Sequence, residues 1–279
     1  VTGVLPSLAA LVAAFGAAVG LAIGSFLNVV VHRVPAGRSV IAPASACPGC
    51  ERPIRGRDNV PVFSWLALRG RCRDCAMPIS ARYPLVEAMT AVLFVLVTAR
   101  FLPGAGSTVG ETAGAVLLLV ALLFVMACSV ALALIDLDTH TLPNRIVLPM
   151  YPVVALALTA ASACSGDWTA LGRGALGMAV LGGAYLALAI AVPRGMGLGD
   201  VKLAGVLGLL LAYLGWGPLA VGAFGAFVLG GTFGIVLLLV RRAGRSTGIP
   251  FGPWMLLGAW VGAFVGVPLW DAYLRLLGI

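Results

Sequence analysis

Ala113-Gly114-Ala115-Val116-Leu117-Leu118-Leu119-Val120-Ala121-Leu122-Leu123-Phe124-Val125-Met126-Ala127-Cys128-Ser129-Val130-Ala131-Leu132-Ala133-Leu134-Ile135 carries no charge, and Asp136 ends it. A run of about 20 apolar residues is what a helix needs to cross a bilayer. Similar runs lie near 8–31, 84–102, 146–163, 174–192, 203–215, 219–240 and 250–275. No alternating strand pattern competes with them, so helices are the expected spanning form. The reading is an all-α polytopic membrane protein with roughly eight transmembrane helices. The sixth run is short, which suggests a tilted or partly re-entrant segment.

Composition agrees. The 279 residues are 61% hydrophobic and 10% charged, against about 45–50% and about 25% in soluble domains. The first run lacks a basic n-region and is too long for a signal-peptide core, so it is read as a helix of the mature protein. Val1 is compatible with a start codon read as Val or with a trimmed end.

The net charge is +8, and its placement sets the topology. Nine of the 18 basic residues lie in one stretch: Arg33, Arg38, Arg52, Arg55, Arg57, Arg69, Arg71, Arg73 and Arg82. Positive residues favour the cytoplasmic side, which puts this loop inside and the N-terminus outside. Counting spans then places Arg145, Arg194, Lys202, Arg241, Arg242 and Arg245 inside, and Arg100, Arg173 and Arg275 outside. The basic loop is read as a topology signal that meets the headgroups of membrane lipids. A nucleic-acid partner is not expected.

The organisation that follows is a first transmembrane helix over 1–31, a cytoplasmic zinc-binding loop domain over 32–83 and a transmembrane core over 84–279. The insertion holds four of the six cysteines. Its Pro-, Gly- and Arg-rich composition leaves few apolar residues to bury, so it needs a staple. Cys47-Pro48-Gly49-Cys50 and Cys72-Arg73-Asp74-Cys75 supply one. Two CxxC knuckles separated by 21 residues suit a closed, four-thiolate structural zinc site. A redox pair or disulfides are the alternative, disfavoured in a cytoplasmic loop. Cys128 and Cys164, in or beside apolar runs, read as packing residues.

Asp136, Asp138 and Asp200 stand at the cytoplasmic edges of helices, where ionisable groups default to a functional reading. Asp136 closes Ala133-Leu134-Ile135-Asp136-Leu137-Asp138. Asp200 ends Gly195-Met196-Gly197-Leu198-Gly199-Asp200, with Lys202 two residues on. The two are 64 residues apart and separated by two spans, so they return to the same face and depth. Two close carboxylates share one proton, which equips them for general base and general acid work. Gly197 and Gly199 would let backbone pass close to a substrate strand, while Asp138 and Lys202 would support the pair. A lone Asp at a helix end is more often a cap, and His140 more often a bystander than a base.

Taken in order, these motifs resemble the type IV prepilin peptidases. Gly24-Ser25-Phe26-Leu27-Asn28, the two CxxC pairs, Asp58-Asn59-Val60-Pro61, Ser64-Trp65-Leu66, Tyr83-Pro84-Leu85-Val86-Glu87, Ile135-Asp136-Leu137-Asp138, Gly197-Leu198-Gly199-Asp200 and Ile249-Pro250-Phe251-Gly252-Pro253 carry the likeness. The resemblance implies an inner-membrane aspartyl protease with Asp136 and Asp200 as catalytic residues. Its substrates would be prepilins or pseudopilins, cut at the cytoplasmic face. It also implies N-methylation of the new N-terminus with S-adenosylmethionine, an activity associated with the zinc-bearing loop over 32–83, for which no residue is assigned. Competing readings are a Gly-x-Gly-Asp membrane protease without methyltransferase activity and a non-catalytic zinc-bearing scaffold or transporter subunit.

Overall fold

The computed structural model describes residues 4–102, 107–192, 196–240 and 250–278, with side chains from residue 10 onward. Gly195, Arg194, Arg241, Arg242, Arg245 and Ile249 lie outside the described residues. The chain divides into two compact units, residues 1–103 with 122–131 and residues 104–121 with 132–279.

In the first unit, α1 (Val4–Arg33) packs on the later α3 (Arg82–Phe101). Gly20 and Gly24 make that packing close. A Cβ on Gly20 would lie 2.6 Å from Ala91 Cα, and one on Gly24 would lie 2.7 Å from Glu87 Cα. Between these helices the polar insertion folds without regular sheet among the described residues. It holds a 3-10 turn (Gly56–Asp58) and the short α2 (Phe63–Ala67). Trp65 is half-buried in it, and its indole donates to Ile79 O at 3.0 Å. Asn28 Nδ2 of α1 donates to Tyr83 O of α3 at 3.2 Å, joining the two helices. The insertion is pinned to α3 by the buried Glu87, which accepts the Val62 N–H at 2.7 Å. Val62 is β-branched with φ 61° and ψ −51°, while Phe63 N bonds Pro61 O at 2.6 Å. That is a γ-turn of the rare, strained hand, which persists only where its surroundings over-determine it.

The helix read from the opening stretch is α4 (Val109–Thr139), and residues 122–131 of it belong to the first unit. A capping box opens it. Thr108 Oγ1 accepts the Glu111 N–H at 3.1 Å, and Glu111 Oε2 accepts the Thr108 N–H at 3.2 Å. His140 closes it in the left-handed conformation, φ 53°.

The second unit continues with α5 (Asn144–Ser165), α6 (Trp168–Ala191), α7 (Leu198–Leu214), α8 (Trp216–Leu239) and α9 (Gly252–Leu276). Helices α6 and α7 pack as one pair and α8 and α9 as another. Helix α7 also touches α5, α8 and α9. Glycines bring α8 and α9 together: a Cβ on Gly258 would sit 2.7 Å from Gly222 O, the close backbone approach that small residues permit between membrane helices.

Among the described residues, seven helices are long and apolar enough to cross a membrane. The eighth expected run is α7, whose 17 residues fall short of that length. At about 1.5 Å per residue it reaches roughly 26 Å, against a hydrocarbon core of about 30 Å. Packing explains the shortness. Every residue from Leu203 to Tyr213 is buried, so protein rather than lipid surrounds α7. The other helices turn large apolar side chains such as Phe15, Leu156, Ile190 and Phe224 outward, as a lipid-facing surface requires. The chain is a multi-pass, all-helical membrane protein.

Candidate active site and metal centre

Asp136 lies in the last turn of α4, only 4% exposed. A helix C-terminus offers carbonyls rather than donors, so a donor for this carboxylate must come from elsewhere. It comes from the opening of α9, where Gly252 N–H donates to Asp136 Oδ2 at 3.0 Å. Asp200 sits in the first turn of α7, half-buried, and its Oδ2 accepts the Gly197 N–H at 3.1 Å. Each carboxylate therefore takes one backbone N–H from the start of a helix.

Leu142 joins the two positions. A Cβ on Gly199, next to Asp200, would lie 3.0 Å from Leu142 Cβ. One on Gly252 would lie 3.2 Å from Leu142 Cδ2 and 2.6 Å from Asp136 Oδ2. The structure thus brings Gly199, beside Asp200, and Gly252, the donor to Asp136, against one leucine, and Asp136 is among the charges acting on Asp200. Gly199 is needed for space. Gly197, with φ −80°, has a backbone that other residues adopt, and its contribution is its N–H.

The donor at Gly252 is held in place by aromatics. Phe251 packs against Phe227 (5.4 Å between ring centroids) and Tyr185 (6.4 Å), and those two rings lie 5.6 Å apart. Sequence reading noted the Pro250-Phe251-Gly252-Pro253 motif without assigning Gly252 a task. The signal was there: a glycine flanked by Phe and Pro at a helix entry, where free N–H groups collect.

The remaining expected residues lie at the rim. Asp138 is exposed on α4 and takes no part in the bonds to Gly252 and Gly197. Lys202 donates from Nζ to Asn144 Oδ1 at 3.0 Å, and its carbonyl accepts the Tyr151 hydroxyl at 2.7 Å. This ties α7 to α5. His140 is exposed, and its backbone N–H caps Asp136 O at 2.8 Å.

In the first unit, the Sγ atoms of Cys47, Cys50, Cys72 and Cys75 lie within 4.8 Å of one another. Cys47 and Cys75 are 3.7 Å apart and all four are free thiols. A disulfide needs about 2.05 Å. A zinc tetrahedron with bonds of about 2.3 Å has edges of roughly 3.8 Å, so the quartet fits zinc. The thiols also pull against each other. The Gly49 and Cys50 amides draw the Cys47 thiol down to about 7. The Met77 amide favours the Cys75 thiolate, yet burial and the neighbouring thiols push that group up to about 12. A cation at the centre would relieve that competition.

The two knuckles are copies of one turn. Cys47 N bonds Arg52 O and Glu51 N bonds Cys47 O, while Cys72 N bonds Met77 O and Ala76 N bonds Cys72 O. Glu51 (φ 56°) and Ala76 (φ 58°) occupy the same left-handed position. Isolated bridges Ala46–Pro53 and Arg71–Pro78 close the two in the same way. The sequence carries this repeat as Cys-x-x-Cys-x-x-Pro-Ile at 47–54 and 72–79, beyond the cysteine spacing that was read. Ion pairs tie the loop further: Arg73 chelates Asp58 (2.6–3.0 Å), and Arg52 and Arg55 share Asp74, each at 3.2 Å.

The chain is similar to known proteins over most of its length. Residues 18–101 match the family described as Bacterial Peptidase A24 N-terminal domain, and residues 122–235 match the Type IV leader peptidase family. The chain is 38% identical over 280 residues to a prepilin leader peptidase/N-methyltransferase of Aeromonas hydrophila, with 91% of each covered. It is 34% identical over 280 residues to the protein of that name from Stutzerimonas stutzeri, covering 92% of this chain and 91% of the relative. Identity to the Myxococcus xanthus protein of that name is 37% over 249 residues, covering 85% of this chain and 67% of the relative. No solved structure matches.

Proposed function

The chain belongs to the type IV leader peptidase family and is an enzyme of the prepilin leader peptidase/N-methyltransferase kind, and from that premise we propose that Asp136 and Asp200 are its peptidase pair. The substrates are prepilins or pseudopilins. What supports the pairing is that Gly199, next to Asp200, and Gly252, which bonds Asp136, both pack against Leu142, while each carboxylate is held by one backbone N–H through Oδ2, with its second oxygen outside that bond. In the reaction one carboxylate is ionised and takes a proton from water as the water oxygen attacks the scissile carbonyl. The other, protonated, donates to the carbonyl oxygen. Collapse of the tetrahedral intermediate expels the amine, which takes up a proton. Gly197 and Gly252 hold the carboxylates still, Gly199 admits Leu142, and Asp138 and Lys202 line the approach.

Charge placement supports a cytoplasmic location for this pair, with the N-terminus outside. The domain reading is a first helix over 1–31, a zinc-binding loop over 32–83 and a peptidase core over 84–279. Cys47, Cys50, Cys72 and Cys75 would hold a structural zinc. Four thiolates leave no open position, so its task is folding. The methylation in the relatives' names would take its methyl from S-adenosylmethionine. Among the described residues the first unit has no β-sheet, so a sheet-topped nucleoside pocket of the Rossmann kind does not fit.

The test is prepilin cleavage by purified protein with Asp136→Asn and Asp200→Asn, near-isosteric changes that remove the titrating groups. Each is expected to lower the rate at least about 10³-fold with the fold retained, within the range for acid–base groups. Cleavage at parental rate by either variant rejects the pair. A processed product lacking the mass of one methyl group would leave the protease reading alone.

A further inference from the structure

A cavity of about 310 Å³ opens at the ends of the helices opposite the aspartates. Gly114 (α4), Ser165 (at the end of α5), Asp167 and Arg173 (at the start of α6) and Tyr213 (α7) line it. Along α4, Gly114 precedes Asp136 by 22 residues, which is about 33 Å of helix and close to the hydrocarbon thickness of about 30 Å. The cavity therefore lies at headgroup level, in the leaflet away from the aspartates.

Two opposite charges share its wall. Arg173 donates from Nε to Ala212 O at 2.6 Å and from Nη2 to Tyr213 O at 2.7 Å, so the last carbonyls of α7 hold the guanidinium in place. Nη1 is in neither bond. Asp167 caps α6, its Oδ1 accepting the Ala170 N–H at 3.0 Å and the Thr169 hydroxyl at 2.6 Å. Oδ2 takes no part in that cap. The Thr169 hydroxyl, then the Ala170 amide and the Arg173 charge, hold the Asp167 carboxyl below its ordinary range. Arg173 and Asp167 are thus near enough to interact, yet they form no direct ion pair. The Tyr213 hydroxyl is anchored on Ser162 at 3.1 Å.

A fixed cation and a fixed anion, apart on one concave wall with a spare valence each, complement a molecule that carries both charges. A purely anionic headgroup would meet Asp167 with repulsion, and a simple cation would meet Arg173. We infer that this cavity binds the zwitterionic headgroup of an amino-phospholipid, with its phosphate on Arg173 and its primary ammonium on Asp167. A primary ammonium donates hydrogen bonds to the carboxylate. A quaternary one does not, and it prefers an aromatic cage, whereas Tyr213 is the only ring among the described residues of this wall. The volume is at the lower end of ligand pockets, about 300–1,000 Å³, as suits a headgroup whose chains stay in the bilayer. Occupancy would join the ends of α4, α5, α6 and α7.

The experiment is native mass spectrometry of the full chain in detergent, titrated with phosphatidylethanolamine, phosphatidylglycerol or phosphatidylcholine. The parent is expected to bind phosphatidylethanolamine about tenfold more tightly than the other two, one charge-assisted contact's worth. Asp167→Asn keeps an equally good helix cap and is expected to erase that preference. Arg173→Gln, which also loosens the end of α7, is expected to weaken all three lipids. Equal binding of the three lipids by the parent, or an intact preference in Asp167→Asn, overturns the assignment. So does free phosphoethanolamine binding as tightly as the lipid, which would make the ligand a soluble phospho-amine.

Discussion

Gly252 donates its backbone N–H to Asp136 Oδ2 at 3.0 Å across 116 residues of sequence. The contact leaves no room for a side chain, since a Cβ there would lie 2.6 Å from the accepting oxygen. Gly252→Ala is therefore expected to displace the Asp136 carboxylate and lower kcat for prepilin cleavage by about 10²-fold. KM and the thermal midpoint should move little. Parental kcat in a folded Gly252→Ala protein would remove the contact from the catalytic account.

Zinc and cleavage should separate. Cys72→Ser is expected to lose bound metal and to make residues 34–81 sensitive to protease, while the helical core keeps its melting transition and cleaves prepilin. The readouts are metal content, limited proteolysis and cleavage of one preparation. Total loss of cleavage with an intact core would show that the loop serves the peptidase directly.

The Val62 turn depends on an acceptor. Glu87→Gln still offers an oxygen to the Val62 N–H and should leave the loop folded. Glu87→Ala strands a strained N–H, at a cost of about 1–3 kcal/mol. Hydrogen exchange at residues 60–66 should rise in the alanine variant alone.

Acid should loosen the same loop. The Arg73 guanidinium that chelates Asp58 holds this carboxyl below its ordinary range. A depressed carboxyl contributes stability above its unfolded value, and that contribution is lost as pH falls through the folded one. Loop stability in the parent should therefore decline below about pH 4. Asp58→Asn should be less stable at neutral pH and flatter through the acid range. An unchanged acid limb in Asp58→Asn would show that other groups govern it.

Much of this was legible because membrane physics is coarse. Apolar runs revealed the helices, and counting them brought Asp136 and Asp200 to one end. Cysteine spacing placed four thiols together. What escaped depends on local geometry that no period or count reports. Gly252 acts through a backbone N–H that every residue but proline possesses, so its identity speaks only of space. The Val62 turn has a β-branched residue where propensity would put glycine, because Glu87 supplies the compensating acceptor. Hydropathy sees α7 as one more apolar run, since a neighbouring helix and a lipid chain ask for the same side chains.

That enclosure of α7 has a mechanical consequence. Bilayers differ in thickness, and a lipid-facing helix answers by tilting or by drawing the lipid in around it. Helix α7 has protein on all sides over Leu203–Tyr213, so mismatch strain reaches it only after its neighbours have absorbed it. Asp200 rides on the first turn of this insulated rod. The register between Asp200 and the Gly252–Asp136 contact should then hold in thin and thick membranes alike, leaving membrane composition to affect how substrates arrive rather than how they are cut.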